Sequence, residues 1–453
     1  MSGFRRRRSA ATAAVAVLGL LATGCAGAGG GGDDEGGGSK SISVLMVGNP
    51  QMVDIQKLTA DSFTKDTGIK VNYTVLPENE LRSKVTQDVA TKAGQYDVAT
   101  VGAYEVPIWA ENGWLQDLDA YADESSFDKA DLLKPMVTSL SGQDGKLYGL
   151  PFYGESSFLM YRKDVLKKEG ITMPLRPTWT EVADIAAKVD GAEPGMKGIC
   201  LRGLPGWGEQ GGPLTTVVNT FGGTWFTKDW QAQVDAAPFK AAVNFYVDLV
   251  KKHGEPGAAQ AGFTECLNSF SQSKTALWYD ATSAAGSVED PKVSRVSGKV
   301  GYVHAPVEKT KSSGWLWTWA WVMPKTTKNA DAASQFMTWA SSKDYEQLVG
   351  EKLGWARVPA GKRESTYSIP EYKKASAAFG DIALQAIEEA DPENPGVQPR
   401  PTVGVQFVGI PEFQDLGTKV TQDIAAAIAG RGTVDEALDK GQEEAEKIAA
   451  EYK

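Results

Sequence analysis

The stretch "SISVLMVGNPQMVDIQKLTADSFTKDTGIKVNYTVLPENELRSKVTQDVATKAGQYDVATVG" (residues 41–102) decides the fold. Ser41–Val47 is a near-continuous apolar run, the pattern of a buried strand. Asp54–Thr67 places Ile55, Leu58 and Phe63 at helical intervals. "GIKVNYTVLP" alternates Val71, Tyr73 and Val75, as a second strand does. Glu80–Ala93 reads as a helix, "YDVATVG" as a third strand, and Val106–Trp114 as the next helix. Strands alternating with helices predict an α/β layered structure with parallel strands. Ligands of such sheets bind beyond the carboxyl ends of the strands. Here those ends are the loops Gly48–Met52 and Gly102–Glu105, which makes Asn49 and Tyr104 candidate ligand contacts. Either residue would serve equally as a turn or helix-start residue.

The pattern continues along the chain. Leu147–Phe152 reads as a short strand, with another extended region beginning at Phe158–Tyr161. Pro177–Val189 is a helix with Thr180 as its expected N-cap. "GICLRG" is a buried strand ending at Arg202, and "TALWYD" is one ending at Asp280. Asp235–Lys252, Phe263–Ser271, Ala330–Glu351, Thr418–Ala429 and Val434–Lys453 are expected helices.

"SGWLWTWAWVMPK" (313–325) carries Trp315, Trp317, Trp319 and Trp321 at alternate positions. In a strand all four indoles share one face. The run spans ~20 Å at strand rise, too long for one small ligand to touch every ring. Trp315 and Trp317 are therefore expected at a site, with Trp321 in the core and Trp319 between.

Composition excludes several functions. The net charge is −10 and the one basic run is Arg5–Arg8, which argues against nucleic-acid binding. That run precedes the apolar stretch Ala10–Ala22 and small residues, the layout of a secretory signal. Leu21-Ala22-Thr23-Gly24-Cys25 resembles the lipobox of bacterial lipoproteins, with Ala22 where an aliphatic residue is usual. It implies cleavage after residue 24 and lipidation at Cys25. Residues 25–40 are glycine-rich and polar, the composition of a flexible tether. An oxidising compartment permits a disulfide between Cys200 and Cys266, while two buried thiols are the plainer reading.

Only two histidines occur, His253 and His304, neither at metal-ligand spacing from another His or Cys. There is no P-loop, G-x-S-x-G or H-E-x-x-H. The 13 tryptophans are the enriched feature. Flat aromatics cover the C–H faces of sugar-like molecules, while carboxylates, amides and Arg bridge hydroxyls.

Several segments then resemble the extracellular solute-binding proteins of bacterial ABC importers, sugar-binding family 1. They are "YGLPFYGESSFLMYRKDVLKKEGI", "PTWTEV", "ENGWLQDLDAY", "KNADAASQFMTWASSKDYEQLV" and "AAAIAGRGTVDEALDKGQEE". "GICLRGLPGWGEQ", "NTFGGTWF", "ALWYDATSAAG" and "TVGVQFVGIPEFQDLGT" are similar to the polyol (mannitol/sorbitol-type) branch. The resemblance implies an α/β, two-lobed periplasmic-binding-protein-like fold (type II), its hinged lobes each with a central sheet flanked by helices. Expected lobes are 41–152 plus 307–355, and 153–306 plus 356–453. It further implies a monomer that captures a polyol or sugar for membrane permease subunits, without catalysis, cofactor or metal.

Candidate contacts follow, each beside its plainer role. Tyr153 and Glu155 follow the first expected crossing, where Glu155 needs polar partners if buried; Ser156 or backbone would also serve. Arg202 can fork over two hydroxyls or pair with Glu155 or Asp280. Trp207, between glycines, has little local core to join, and Trp225 in "FGGTWF" has more. Asp280, at a strand end, is a ligand carboxylate or a helix N-cap. Gln406 offers an amide that donates and accepts, or is a surface loop residue. The rival functions are an extracytoplasmic glycoside hydrolase or lyase and a binding module reporting to a membrane sensor.

Overall fold

The computed structural model describes residues 41–124 and 127–453. The expected signal segment, Cys25 and tether lie outside the described residues. Among those described, no helix is long and apolar enough to cross a membrane.

Among the described residues nine strands form two sheets. The first has the order β2-β1-β3-β9-β4, built from β1 (Ser41–Val47), β2 (Lys70–Leu76), β3 (Val98–Gly102), β4 (Leu150–Glu155) and β9 (Trp317–Val322). The second has the order β6-β7-β5-β8, from β5 (Ser157–Arg162), β6 (Lys197–Cys200), β7 (Thr275–Ala281) and β8 (Val300–His304). Each sheet is covered by helices, giving an α/β fold of two lobes.

The sheets are mixed rather than wholly parallel. β1 pairs in parallel with β2 and β3, and β6 with β7. β9 is antiparallel to β3 and β4, and β5 is antiparallel to β7 and β8. The chain's crossings explain this. β5 and β9 each begin where the chain leaves the other sheet, so they run away from the gap between sheets. β1, β3, β4, β6 and β7 run toward it.

The register fixes what collects at that gap. Gly102, at the end of β3, lies opposite Trp319, and Glu155, at the end of β4, opposite Trp317. In the second sheet Ser157 lies opposite Ala281, the residue after Asp280. Only Ser156 separates β4 from β5.

β4 thus runs to Glu155, past the expected crossing at 152. The second expected boundary, at 355, also differs. Arg363 donates to the carbonyls of Phe127 (2.7 Å) and Ser341 (3.1 Å), and Lys362 pairs with Glu346. Residues near 363 therefore pack on the first sheet's side. The crossing admits only glycine at 154, where a Cβ would fall 2.1 Å from the Gly361 carbonyl oxygen.

Two local expectations change. Thr178, not Thr180, caps the helix Trp179–Val189, in a reciprocal box with Glu181. The expected helix 330–351 is broken into Ala330–Ala340 and Lys343–Lys352, because Ser342 caps the second piece by accepting from Tyr345 N.

Cys200 and Cys266 form a disulfide, Cα–Cα 5.6 Å, tying β6 to the helix Phe263–Ser271. It closes a loop of 66 residues, and restricting an unfolded loop of that size stabilises by about 4 kcal/mol in the chain-entropy estimate. The double variant Cys200→Ser/Cys266→Ser is expected to lose about 2–4 kcal/mol in urea unfolding. An unchanged midpoint would contradict this.

Candidate functional site

The gap between the sheets holds a small, partly open cavity. Its first-lobe wall is Asn49, Glu78, Arg82, Glu155, Trp317 and Trp319. Its second-lobe wall includes Arg202, Trp207, Pro213, Phe263 and Ser283. Trp315 and Gln406 complete it.

Each group arrives by a local rule. Asn49 follows β1 and precedes the helix Pro50–Thr59; its amide donates to Tyr153 Oη at 2.8 Å. Glu78 opens the helix Glu78–Thr91, and Arg82 stands one turn later. Arg82 Nε and Nη2 donate to Glu78 Oε1 at 3.1 and 2.9 Å, while Nη1 donates to Glu105. The guanidinium carbon lies 4.2 Å from the Trp207 ring centroid, and 5.1 and 5.2 Å from those of Trp317 and Trp319. Cation–π attraction thus joins aromatic rings of both lobes.

The tryptophan run divides along its length. Trp315, Trp317 and Trp319 line the cavity, whereas Trp321 is fully buried against Phe152 and Phe336, with centroids at 5.0 and 5.3 Å. Gly102 makes room for Trp317, because a Cβ there would lie 1.9 Å from the indole.

Arg202 is held from behind. Asp280 accepts from its Nε at 2.9 Å and Nη2 at 2.6 Å, in a bidentate pair. Asp280 also accepts from Trp278 Nε1 and from the amide of Ala281. It is wholly buried and does not line the cavity. Its place is behind the wall, orienting Arg202.

Three other candidates also stand outside the cavity lining. Tyr104 is buried: its phenol donates to Ile410 O at 2.8 Å and accepts from Gln414 N at 3.1 Å. Burial pushes its pKa well above the ordinary tyrosine value. It seats the start of the helix Phe413–Ile428 against the first lobe. Trp225 packs on Phe239 and Phe413 and donates to Thr215 Oγ1, within the second lobe's core. Tyr153 reaches the site only through its bond with Asn49.

The sequence reading missed Glu78, Arg82, Phe263 and Ser283. Glu78 and Arg82 are four apart on a helix, the spacing of an ordinary exposed ion pair. The nearness of Trp207, far along the chain, is what makes Arg82 part of a site.

Several polar atoms at the cavity lack a partner among the described residues. They are Trp207 Nε1, Trp315 Nε1 and Gln406 Oε1. Gln406 Nε2 is used, donating to Leu316 O at 3.1 Å. Glu155 is 7% exposed, and Ser283 Oγ donates to its Oε2. Burial pushes the Glu155 pKa up to about 8, opposed by Ser283 and Arg202. Nearby Glu209 is pushed up to about 7, by burial and then by Glu78. Donors, acceptors and indole faces around one cleft suit a small polyhydroxyl molecule. Cys200, Cys266 and Glu255 are the one cluster of metal-ligand types among the described residues, and both thiols are consumed in the disulfide.

Hinged lobes around a polar, aromatic cavity define a protein that encloses a small solute. The chain belongs to the bacterial extracellular solute-binding protein family, whose sequence profile matches residues 49–347. The mannitol-binding protein of Pseudomonas aeruginosa is 39% identical over 406 residues, covering 89% of this chain and 92% of that one. An ABC transporter solute-binding protein of Agrobacterium vitis S4, solved with bound D-mannitol, superimposes with a TM-score of 0.89 at 46% identity. That match covers 91% of this chain and 99% of the other. A ribitol complex from Agrobacterium radiobacter K84 shares the fold, with a TM-score of 0.79 at 23% identity over 90% and 98% of the two chains.

Two outcomes follow from the geometry. Asp280→Ala leaves buried Arg202 with only the longer Glu209 contact and is expected to lower unfolding free energy by about 3 kcal/mol; an unchanged urea midpoint would contradict the buried pair. The second concerns pH. The ordinary glutamate value is 4.5 and that of Glu155 is about 8. Between these values the folded chain holds more protons than the unfolded one. The Glu155 contribution is therefore complete below pH 4.5 and is lost as pH rises through 8. Relative to Glu155→Gln, the unliganded wild type is expected to lose up to a few kcal/mol between pH 5 and pH 9 in urea titrations. Parallel pH profiles for the two proteins would refute the raised pKa.

Proposed function

We propose that this protein captures D-mannitol, or a linear polyol close to it, between its lobes and presents it to the permease of an ABC importer. The observation that carries the reading is the set of polar atoms on Trp207, Trp315 and Gln406 without a partner among the described residues, set among indole faces that line one cavity. A six-carbon polyol supplies hydroxyls to such atoms and C–H edges to the rings. The mannitol-bound relative at 46% identity supports the same ligand class.

The roles divide accordingly. Glu155, Arg202, Asn49 and Gln406 take hydroxyls, Trp207, Trp315 and Trp317 cover the carbon chain, and Asp280 positions Arg202. Tyr104 and Trp225 support closure and the second lobe. The lobes are about 41–155 with 315–366, and 157–306 with 370–453. A ligand touching both walls stabilises the closed state over the open one. The work of the site is capture and release, with no bond made or broken. The chain acts as a monomer outside the cytoplasm, held to the membrane by lipid on Cys25 after signal cleavage. The lipobox-like sequence and tether support that part.

A thermal-shift and calorimetric series on residues 41–453 tests the ligand. Mannitol at 100 times its Kd is expected to add about 2.7 kcal/mol of stability. No shift with mannitol, sorbitol or arabitol, together with a shift from a disaccharide, would overturn the polyol assignment.

A further inference from the structure

The charges around the cavity do not balance. Arg82 stands between Glu78 and Glu105, at 2.9 Å from the first. Arg202 stands between Asp280 at 2.6 Å and Glu209 at 3.4 Å. Each guanidinium is already shared by two carboxylates. Glu155 adds a fifth carboxyl group and forms no ion pair among the described residues. Its Oε2 accepts from Ser283 Oγ, while Oε1 has no donor among the described residues although the residue is more than nine-tenths buried in the cavity wall.

Once ionised, above about pH 8, Glu155 is an unpaired, largely desolvated carboxylate and a strong discriminator. It repels an anionic ligand where little water screens the repulsion. It accepts a hydroxyl readily, and an ammonium group better, since a charge-assisted bond is about twice as strong as a neutral one. The two arginines do not offset this for an acidic ligand, because their charges are met by their own carboxylates.

Resting on the polyol reading above, we propose that the cavity admits neutral and amine-bearing polyols and rejects acidic ones, with Glu155 receiving the ammonium of an amino polyol. Mannitol suits a direct comparison because its two ends are equivalent, so a change at either terminus can be presented to Glu155. The raised pKa of Glu155 is consistent with this, as a group that a cationic ligand would draw into its ionised form.

The test is calorimetry at pH 8.5, above the Glu155 pKa of about 8, with D-mannitol, 1-amino-1-deoxy-D-mannitol and D-mannonate. The amine is expected to bind about tenfold tighter than mannitol, and the acid at least about 100-fold more weakly. In Glu155→Gln the advantage of the amine over mannitol is expected to disappear. An amine weaker than mannitol, or an acid within tenfold of it, overturns the proposal. An unchanged amine preference in a folded Glu155→Gln variant overturns the role of Glu155. Should that variant not fold, the wild-type comparison decides alone. Failure of mannitol itself to bind overturns the underlying ligand reading, whereas mannitol binding without charge discrimination overturns this inference only.

Discussion

The guanidinium of Arg82 holds the two aromatic walls against each other. It is anchored in the first lobe by Glu78 and Glu105, and it faces Trp207 of the second lobe at 4.2 Å. A buried arginine is costly unless its donors and charge are met. Two carboxylates meet them, and three indoles supply the rest of its surroundings. In a desolvated setting one such cation–π contact is worth ~2 kcal/mol or more, so this cluster contributes to closure before any ligand is counted.

Behind this contact lies a simple topological device. Strands that end at the gap deliver carboxyl-end residues to it, and strands that cross between lobes begin there. Gly102, Glu155, Asp280 and Trp317 come to one place for this reason, although they are scattered over the chain. The crossings are tight: backbone at Gly154 meets backbone at Gly361 with no space for a side chain. Charge follows the same logic, since the carboxylates that anchor the two arginines also make the site net acidic.

Much of this was legible in the sequence, for identifiable reasons. Alternating apolar strands and helical spacings over 41–102 announced the first sheet. Asn49, Glu155, Arg202, Trp207, Trp315, Trp317 and Gln406 stood at strand ends or in glycine-rich loops, and the structure brings them to one cavity. Asp280 also stood at a strand end, but its side chain turns back to hold Arg202, and strand-end position alone does not fix that direction. Tyr104 stands at the start of the helix Glu105–Glu111, as its second reading had it, and its hydroxyl finds partners at Ile410 and Gln414, contacts invisible to local pattern. Arg82 carried no local signal, because an i,i+4 pair with Glu78 reads as an exposed helix face. Antiparallel β9 was likewise illegible, since direction in the sheet is set by where the crossing delivers the chain.

The most direct measurement is a crystal structure of residues 41–453 grown with D-mannitol. One mannitol is expected between Trp207 and Trp317, with hydroxyls within hydrogen-bond distance of Glu155, Arg202 and Gln406 and none on Asp280. A cavity left empty at saturating mannitol, or mannitol bound elsewhere, would contradict the assignment of this cleft as the polyol site.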